Sequence, residues 1–570
     1  MASWIDVASS KSWNLSIGRF NCSVKLDAFC LQGNGVDRMD IPYEHRRLTT
    51  STCRAEKKVF ESESANPVKS CVYKGVQVGN STPPRRLQSR RLVRPANLGR
   101  KFGVCATATA GTVKNEDRLE LTPLLPKLSD KWRDIQGASN WKNLLDPLDP
   151  MLKAEIIKYG EFAQLCYDAF DYDSHSEFCG SCRFNPRKLL REYGLRDEDY
   201  EITKYLYATS AASLPTFFRK SDSDDPWSTS SNWIGFVAVS TSEREIERLG
   251  RRDIVVAWRG TVTHLDWLTD LQKSLCPSGL DPRSAGRSIN GDVRVETGFL
   301  SLYTTKKETA RYNKQSAREQ LQSEIQRLTE LYKGDQLSIS LTGHSLGAAL
   351  ALLSGYDLAE SRLNMKLGNA PSPAFNPSAS MSLENIFDHE QELHHIDNDD
   401  KIPITVISFA GPRVGNSAFR DRVNNLGVKV LRIVNVNDVV PKVPGVVLNE
   451  KFQFIHDWID KVPWTYSHVG EELAVNNNHS PFLQLSLDPS CFHNLEAYMH
   501  LIDGYTGFGK KFSRLLSRDP ALVNKNSNFL KRHLKIPAFW RQDKDKGLIK
   551  HPDGRLKFRG REPEDIPPYD

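Results

Sequence analysis

Apolar residues in this chain fall into short runs rich in β-branched side chains, separated by stretches in which apolar positions recur at helical spacing. Four runs are predicted to be strands: Asp253–Gly260, Gln336–Gly343, Ile404–Gly415 and Val428–Asp438. A helix is predicted after the second run, from Ala348 to about Arg362. Apolar strands that alternate with helices are typical of sheets covered on both faces, so the pattern predicts an α/β fold with a central, mostly parallel sheet.

A folded region is predicted from 119 to 510. Its early part, Trp132–Phe170, has aromatic residues followed by apolar residues at helical spacing, which predicts helices packed under the sheet. Gly368–Asp400 is rich in Pro and Ser and then acidic, which predicts a surface insertion ahead of the third strand.

A basic C-terminal extension, 511–570, follows the folded region. Its segment Lys531–Gly547 places several cations around Phe539 and Trp540. One interpretation is a solvated extension that these two aromatic residues pack onto the domain. The other is contact with a membrane surface through the cations.

The N-terminal region, 1–110, differs in composition from the rest. Ser64–Asn115 contains no acidic residue and many arginines, serines and prolines. This composition is typical of an organelle transit peptide, and Val104–Gly111 offers a run of small residues suited to processing. A disordered basic tail is the alternative, and the acidic residues among the first 63 are unusual for a leader.

The totals exclude several classes of protein. The chain has 570 residues, of which 39% are hydrophobic and 26% charged, and it has no run long enough to cross a bilayer as a helix. The net charge of +7 is modest and concentrated at the two ends, which argues against a nucleic-acid binder. Ten cysteines in a chain of this length do not indicate a disulfide scaffold. Cys179 and Cys182 form a C-x-x-C pair with only His175 nearby, so two ordinary thiols are predicted rather than a metal site, with a redox switch as the alternative.

The candidate chemistry begins at the motif GHSLG, residues 343–347. Gly343 and Gly347 flank Ser345 at the point where a predicted strand passes into a predicted helix. A turn this tight strains the serine backbone, tolerates only small neighbours and exposes the hydroxyl at the carboxyl end of the sheet. Ser345 is therefore predicted to be a nucleophile at the N-terminus of the helix, where free N–H groups favour negative charge.

A serine nucleophile needs a histidine base and a carboxylate that orients it. Asp438 follows the apolar run VLRIV at a strand end, where such an acid belongs, although an aspartate that caps a turn is the alternative. His493 begins a helical run at a loop junction and is the preferred base, with His468 and His500 as alternatives. Other downstream aspartates lie in polar sequence and are discounted: Asp397, Asp399, Asp400 and Asp421.

Four longer motifs occur in order along the chain: GHSLGAALA, SFAGPRVGN, VNVNDVVPKVPG and HNLEAYMHLIDGY. In these motifs the chain resembles the class 3 lipase family. Three earlier blocks narrow the resemblance to plant plastid-targeted class I phospholipase A1 enzymes: WRDIQGASNWKNLLDPLD, YDAFDYDSHSEFCGSCRF and VAWRGTVTHLDWLTDL. The resemblance implies an α/β-hydrolase fold, a triad of Ser345, Asp438 and His493, and an oxyanion hole formed by the backbone N–H groups of Thr261 and Leu346.

The resemblance also implies a lid at His264–Leu275. Candidate apolar residues on it are Leu265, Trp267, Leu268 and Leu271. Such a stripe forms core in most helices, but its position beside the oxyanion loop favours a lid that opens against a lipid surface. The block VETGFL, residues 295–300, departs from the VHxGF-like block of fungal members and is given no catalytic weight.

The function implied is an acylhydrolase that releases fatty acid from the sn-1 position of phosphatidylcholine, with galactolipids as further substrates. The resemblance implies no metal or organic cofactor and no nucleic-acid partner; it implies location in the chloroplast stroma or peripherally on plastid membranes. Two alternatives stay open: a tri- or monoacylglycerol lipase with the same machinery, and a non-catalytic lipase-like scaffold. The sequence does not predict an oligomeric state.

Overall fold

The structure is a computed structural model that describes residues 127–173, 176–209, 231–261, 274–281, 292–310, 312–366, 401–444, 465–541, 548–558 and 560–567. All of them belong to one unit, Glu116–Asp570. The N-terminal region 1–110, residues 264–273 of the predicted lid and the predicted insertion 368–400 lie outside the described residues.

One large sheet forms the centre of the described region, with seven strands in the order β1-β2-β3-β6-β7-β8-β9. The strands that the structure describes are β1 Tyr200–Ala208, β2 Asn232–Ser240, β3 Arg252–Trp258, β4 Leu275–Pro277, β5 Arg294–Glu296, β6 Leu337–His344, β7 Ile404–Phe409, β8 Lys429–Asn435, β9 Glu471–Val475, β10 Leu548–Lys550 and β11 Leu556–Phe558. From β3 to β9 the neighbours in the large sheet are parallel, whereas β1 and β2 add an antiparallel edge. The sheet is therefore mostly parallel, as predicted.

Helices cover both faces of this sheet. The described α-helices are α1 Leu128–Ile135, α2 Pro150–Asp168, α3 Pro186–Glu192, α4 Glu243–Leu249, α5 Thr297–Thr304, α6 Ala317–Leu331, α7 Leu346–Glu360, α8 Ser417–Asn425, α9 Pro489–Phe492 and α10 Leu495–Gly504. One hydrophobic core lies between the sheet and α2 and α10, and a second lies between the sheet and α5, α6 and α7. No described helix has both the length and the apolar character that crossing a membrane requires.

The predicted elements lie where the pattern placed them, with shifted ends. The helix after Ser345 begins at Leu346, two residues earlier than predicted, because the chain turns directly from β6 into α7. β7 ends at Phe409 rather than Gly415, and β8 ends at Asn435, ahead of Asp438. The residues beyond these strand ends form the loops at the carboxyl edge of the sheet.

The C-terminal extension is held to the domain by ion pairs and by the buried side chains of Val523, Phe529 and Leu530, which belong to the core. Arg541 pairs with buried Asp168 at 2.5 Å, and Arg561 pairs with buried Asp171 at 2.7 Å. Phe539 is 61% exposed, whereas Trp540 is 40% exposed and donates its indole N–H to the Ala521 carbonyl at 2.6 Å. Buried carboxylates need such partners, because an unpaired buried charge is strongly destabilising.

Candidate active site

Ser345 occupies the turn between β6 and α7 in a backbone conformation that L-residues rarely adopt, with φ 60° and ψ −126°. The Ser345 amide donates to the Phe409 carbonyl at 2.9 Å, which fixes the turn against β7. Strain of this kind costs about 1–3 kcal/mol and persists only where the surroundings enforce it. The serine that the motif singled out is therefore held in the strained geometry that the motif predicts.

The two flanking glycines make this turn possible through close approach. A Cβ on Gly343 would lie 2.3 Å from the carbonyl of Gly347, and a Cβ on Gly347 would lie 2.3 Å from the carbonyl oxygen of Trp258. Both distances are far inside a normal carbon–oxygen contact. The start of α7 therefore packs directly on the end of β3, from which the chain continues to Thr261.

Asp438 and His493 meet at the same edge of the sheet. His493 Nδ1 lies 2.7 Å from Asp438 Oδ2, and both side chains are almost entirely buried. The same carboxylate oxygen accepts a bond of 2.8 Å from the Tyr498 hydroxyl, and Asp438 Oδ1 accepts from the Val440 amide at 2.9 Å. Burial, and next the charge of Asp438, raise the pKa of Tyr498 well above its ordinary value, so Tyr498 stays a neutral donor. These bonds hold Asp438 as an acceptor for the histidine.

The ring of His493 lies beside the turn that carries the serine. Its centroid is 4.5 Å from that of His344, the residue directly before Ser345. His493 Nε2 is buried and makes no hydrogen bond to any described residue, Ser345 included. With Nδ1 bound to Asp438, Nε2 is the nitrogen left to take a proton, and such contacts often tighten only when substrate binds.

His344 and Tyr167 are two residues of this site that sequence reasoning did not single out. The Tyr167 hydroxyl lies 2.9 Å from His344 Nδ1 and donates to the His344 carbonyl at 3.2 Å. Burial, and next the neighbouring His493, hold the pKa of His344 well below its ordinary value. The neutral His344 ring therefore packs beside the His493 ring. The only feature of the sequence that pointed to His344 is its place in the motif GHSLG.

The backbone amides of Thr261 and Leu346 are free to bind an anion. Neither donates a hydrogen bond to another described residue, and the Leu346 amide, as the first of α7, has no partner within its helix. A Cβ on Gly260 would lie 2.4 Å from the His344 carbonyl, so the chain before Thr261 runs beside the serine turn. The two predicted donors lie on two segments that are in contact.

Arg259 stiffens the segment that ends in Thr261. Its buried guanidinium donates to the carbonyls of Trp233 at 2.9 Å and Gly260 at 3.1 Å, and it lies 3.7 Å above the Phe170 ring. Burial lowers the pKa of Arg259 to about 10, which leaves it cationic at neutral pH. This cation beside the candidate oxyanion site was missed, although it stands in the quoted block AWRG.

The alternative histidines lie elsewhere. His468 accepts from Arg413 at 3.2 Å, and His500 bonds Ser480 at 2.8 Å inside the core. Asp421 is exposed and pairs with Arg420. The other discounted aspartates and the lid candidates Leu265, Trp267, Leu268 and Leu271 lie outside the described residues. The catalytic roles of Ser345, Asp438 and His493 stay predictions, with a geometry that suits them.

The C-terminal extension supports the residue after the candidate base. Asn494 Nδ2 donates at 3.0 Å both to the Val523 carbonyl and to Ser527 Oγ, while its Oδ1 caps α10 through the Glu496 amide. Glu496 in turn pairs with Arg518 at 2.5 Å. The His493 backbone is thereby tied to the extension.

The C-x-x-C pair and the metal-ligating residues were the remaining candidates for chemistry. Cys182 is a free thiol, and burial raises its pKa to about 11, which leaves it poorly reactive at neutral pH. Among the described residues no group of three or more His, Cys, Asp or Glu is arranged to hold a metal ion.

A mostly parallel sheet with a strained serine between glycines at a strand–helix turn defines an α/β-hydrolase fold. The family model described as Lipase (class 3) matches residues 255–448. The chain is 48% identical over 451 residues to phospholipase A1-Igamma2, chloroplastic, of Arabidopsis thaliana, which covers 77% of this chain and 79% of that protein. It belongs to the class 3 lipase family, in the group of the chloroplastic phospholipase A1-Igamma proteins.

The chain is also similar to a second curated relative and to a solved structure. The galactolipase DONGLE, chloroplastic, of Arabidopsis thaliana is 41% identical over 380 residues, covering 66% of this chain and 70% of that protein. The solved Lip2 lipase of Yarrowia lipolytica is 17% identical, covers 64% of this chain and 96% of that chain, and has a TM-score of 0.34, too low to add to the argument. The family prediction is confirmed, and the chloroplast prediction is confirmed by the Arabidopsis relatives, which are named chloroplastic.

Proposed function

We propose that this protein hydrolyses the sn-1 acyl ester of membrane glycerolipids in the chloroplast, on phosphatidylcholine and on galactolipids. The observation that carries the catalytic part is the Asp438–His493 pair, whose free Nε2 lies beside the strained Ser345 turn. The lipid substrates follow from the relatives, which are named phospholipase A1 and galactolipase. A non-catalytic scaffold would have no need of a buried, partnered histidine with one nitrogen left free.

The reaction proceeds in two halves. His493 Nε2 takes the proton of Ser345 Oγ, which attacks the acyl carbonyl, and the negative oxygen of the tetrahedral intermediate accepts bonds from the Thr261 and Leu346 amides. The protonated His493 then gives that proton to the departing lysolipid oxygen, which leaves an acyl-serine. Water, deprotonated by the same Nε2, releases the fatty acid and restores Ser345.

Asp438 fixes the tautomer that this cycle needs. Since its carboxylate accepts from Nδ1–H at 2.7 Å, the lone pair of His493 stays on Nε2, and the charge of Asp438 stabilises the imidazolium that forms. The segment 264–275 is proposed to be a lid that opens at the lipid surface.

The test measures fatty acid release by the full-length protein. Each lipid substrate carries different acyl groups at its sn-1 and sn-2 positions. Phosphatidylcholine and monogalactosyldiacylglycerol vesicles serve as substrates, with triacylglycerol emulsion beside them and a Ser345→Ala variant as the control. Release of the sn-1 chain that falls by about 10⁴-fold or more in the variant is expected. Cleavage of the emulsion alone would replace the proposal with a neutral-lipid lipase, and no cleavage by folded protein would replace it with a scaffold.

A further inference from the structure

Two leucines stand in solvent on the loop that leads to the candidate base. Leu485 is 91% exposed and Leu487 is 100% exposed. The loop passes directly into the short helix α9, Pro489–Phe492, and then into His493, whose amide bonds the Pro489 carbonyl at 3.1 Å. Single exposed leucines are common, but two almost fully exposed leucines within eight residues of the candidate base call for a partner.

The loop is held in place by the C-terminal extension. Gln484 donates its amide to the Phe529 carbonyl at 2.9 Å, and Lys531 donates its amide to the Phe482 carbonyl at 2.9 Å. The rings of Phe492 and Phe529 lie 5.9 Å apart, so the same stretch of extension also packs on α9. The two leucines are therefore presented from an anchored loop.

Unpaired cations lie next to this loop. Lys531 bonds the Pro481 carbonyl through Nζ at 2.8 Å, while Arg532 and Lys535 are exposed and form no ion pair with any described residue. The partly buried Leu534 and Ile536 anchor this segment to the core. In this antiparallel pairing Arg532 lies opposite Pro481, four residues or roughly 13 Å of extended chain from Leu485, and Lys535 lies three residues further along the extension.

This arrangement contrasts with that of four other cations of the extension. Arg518, Lys525, Arg541 and Arg561 all pair with carboxylates of the domain. The one acid in the exposed loop, Asp488, accepts from the Ser490 amide at 2.9 Å and caps α9. The surface beside His493 therefore combines projecting apolar side chains with positive charge that nothing in the described protein neutralises.

We propose that Leu485 and Leu487, with Arg532 and Lys535, form a docking surface for an anionic lipid membrane, separate from the lid segment. The leucines enter the acyl region and the cations bind anionic headgroups, the combination that gives stable attachment to an interface. The inference rests on the proposed function, since a membrane that holds the substrate must face the site. Docking here places the lipid surface on the side of the site that carries the candidate base.

Binding is measured separately from hydrolysis. Full-length protein with Ser345→Ala, which leaves lipid intact, is sedimented with vesicles of equimolar phosphatidylcholine and phosphatidylglycerol. Adding Leu485→Ser and Leu487→Ser is expected to weaken binding about a hundredfold, at about tenfold for each leucine. Adding Arg532→Gln and Lys535→Asn is expected to weaken it roughly thirtyfold, and to have little effect on pure phosphatidylcholine. Asparagine suits position 535 because Lys535 has φ 56°.

Phe508→Ser is the matched control. Phe508 is 86% exposed, next to exposed Lys510 and Lys511. Its amide bonds Asp146, which precedes α2 at the end opposite to Tyr167 of the site. It is expected to bind vesicles like the parent. Hydrolysis of a soluble short-chain ester, measured with Ser345 present, is expected to be unchanged in every surface variant, which shows that each is folded.

The proposal would be overturned if the leucine variant bound vesicles as well as the Ser345→Ala protein does. It would also be overturned if Phe508→Ser lost as much vesicle binding as the leucine variant. A change of oligomeric state by size exclusion, with vesicle binding intact, would make the surface a protein interface instead. If the leucine variant loses binding while wild type cleaves no ester, docking stands and the proposed function fails. If wild type cleaves lipid and the leucine variant binds and cleaves equally well, docking fails and the function stands.

Discussion

Substituting Gly347 by alanine tests whether the serine turn and the oxyanion segment form one mechanical unit. The added Cβ would lie 2.3 Å from the Trp258 carbonyl oxygen and 3.0 Å from the Arg259 carbonyl carbon. Backbone on both sides must then move by about 1 Å to reach a normal contact, and β3 is held in the sheet on both sides. The movement falls on the short stretch that ends at Thr261.

The expected effect on catalysis is large and the effect on stability is moderate. A misplacement of about 1 Å in a positioning group costs roughly a hundredfold in rate, so kcat/KM is expected to fall about a hundredfold. Overpacking destabilises by about 1–3 kcal/mol, and alanine in a helix returns up to about 1 kcal/mol relative to glycine. The free energy of unfolding is therefore expected to fall by up to about 2 kcal/mol.

Gly355→Ala in the same helix is the control. Its Cβ would meet the Val406 methyl at 3.0 Å, a side-chain atom that can shift, and no backbone of the site. Its kcat/KM on a soluble short-chain ester is expected to stay within about threefold of wild type. The reasoning is refuted if Gly347→Ala keeps wild-type kcat/KM. It is also refuted if the two variants lose the same kcat/KM and, in urea unfolding, the same free energy of unfolding.

Two further changes probe the surroundings of the site. Tyr498→Phe removes the hydroxyl that donates to Asp438 and accepts from the Asn435 amide at 3.0 Å. We therefore expect the free energy of unfolding in urea to fall by about 1–3 kcal/mol and kcat/KM to fall roughly tenfold. An unchanged variant would show that the Val440 bond alone orients Asp438. Burial lowers the pKa of His500 to about 4 from 6.5, so the unfolded chain binds more protons between these values and stability falls as pH drops through that window. The contribution between pH 7.5 and 4.5 is about 2.5 kcal/mol, and His500→Gln should flatten the pH dependence of urea unfolding by that amount; an identical slope would contradict it.

The parallel part of the sheet was predictable because each of its strands is a continuous apolar run, and the antiparallel edge was not predicted. β2 is buried along its whole length, but β1 alternates imperfectly because its register shifts at Ile202/Lys204 and again at Leu206/Tyr207. Such bulges are decided by pairing with the neighbouring strand, which local periodicity does not contain.

Some residues of the candidate site could likewise be predicted from local sequence, and others could not. The Ser345 turn is local, so five residues of sequence predict its conformation. Chain order and positions beside a strand end and a helix start favoured Asp438 and His493, although they left His468 and His500 open as alternative bases. Tyr167 touches the site from a helix distant in sequence, and Tyr498 touches it from the helix that follows His493. Each belongs to an apolar stretch that looks like ordinary core. Nothing in their own segments separates a tyrosine that packs from one that donates to a functional group.

Charge in the C-terminal extension shows why composition alone misjudges function. By count the extension is basic throughout, yet Arg541 and Arg561 are neutralised by Asp168 and Asp171 more than 350 residues earlier in the chain. Such cations stabilise the fold, and removing Arg561 would leave the buried Asp171 without its ion-pair partner, a loss that typically costs about 3–5 kcal/mol. Arg532 and Lys535 have no such carboxylate among the described residues, so their charge is free to act outside the protein. A variant that neutralises the extension as a whole would therefore confuse unfolding with loss of membrane binding, whereas one confined to these two residues separates the two.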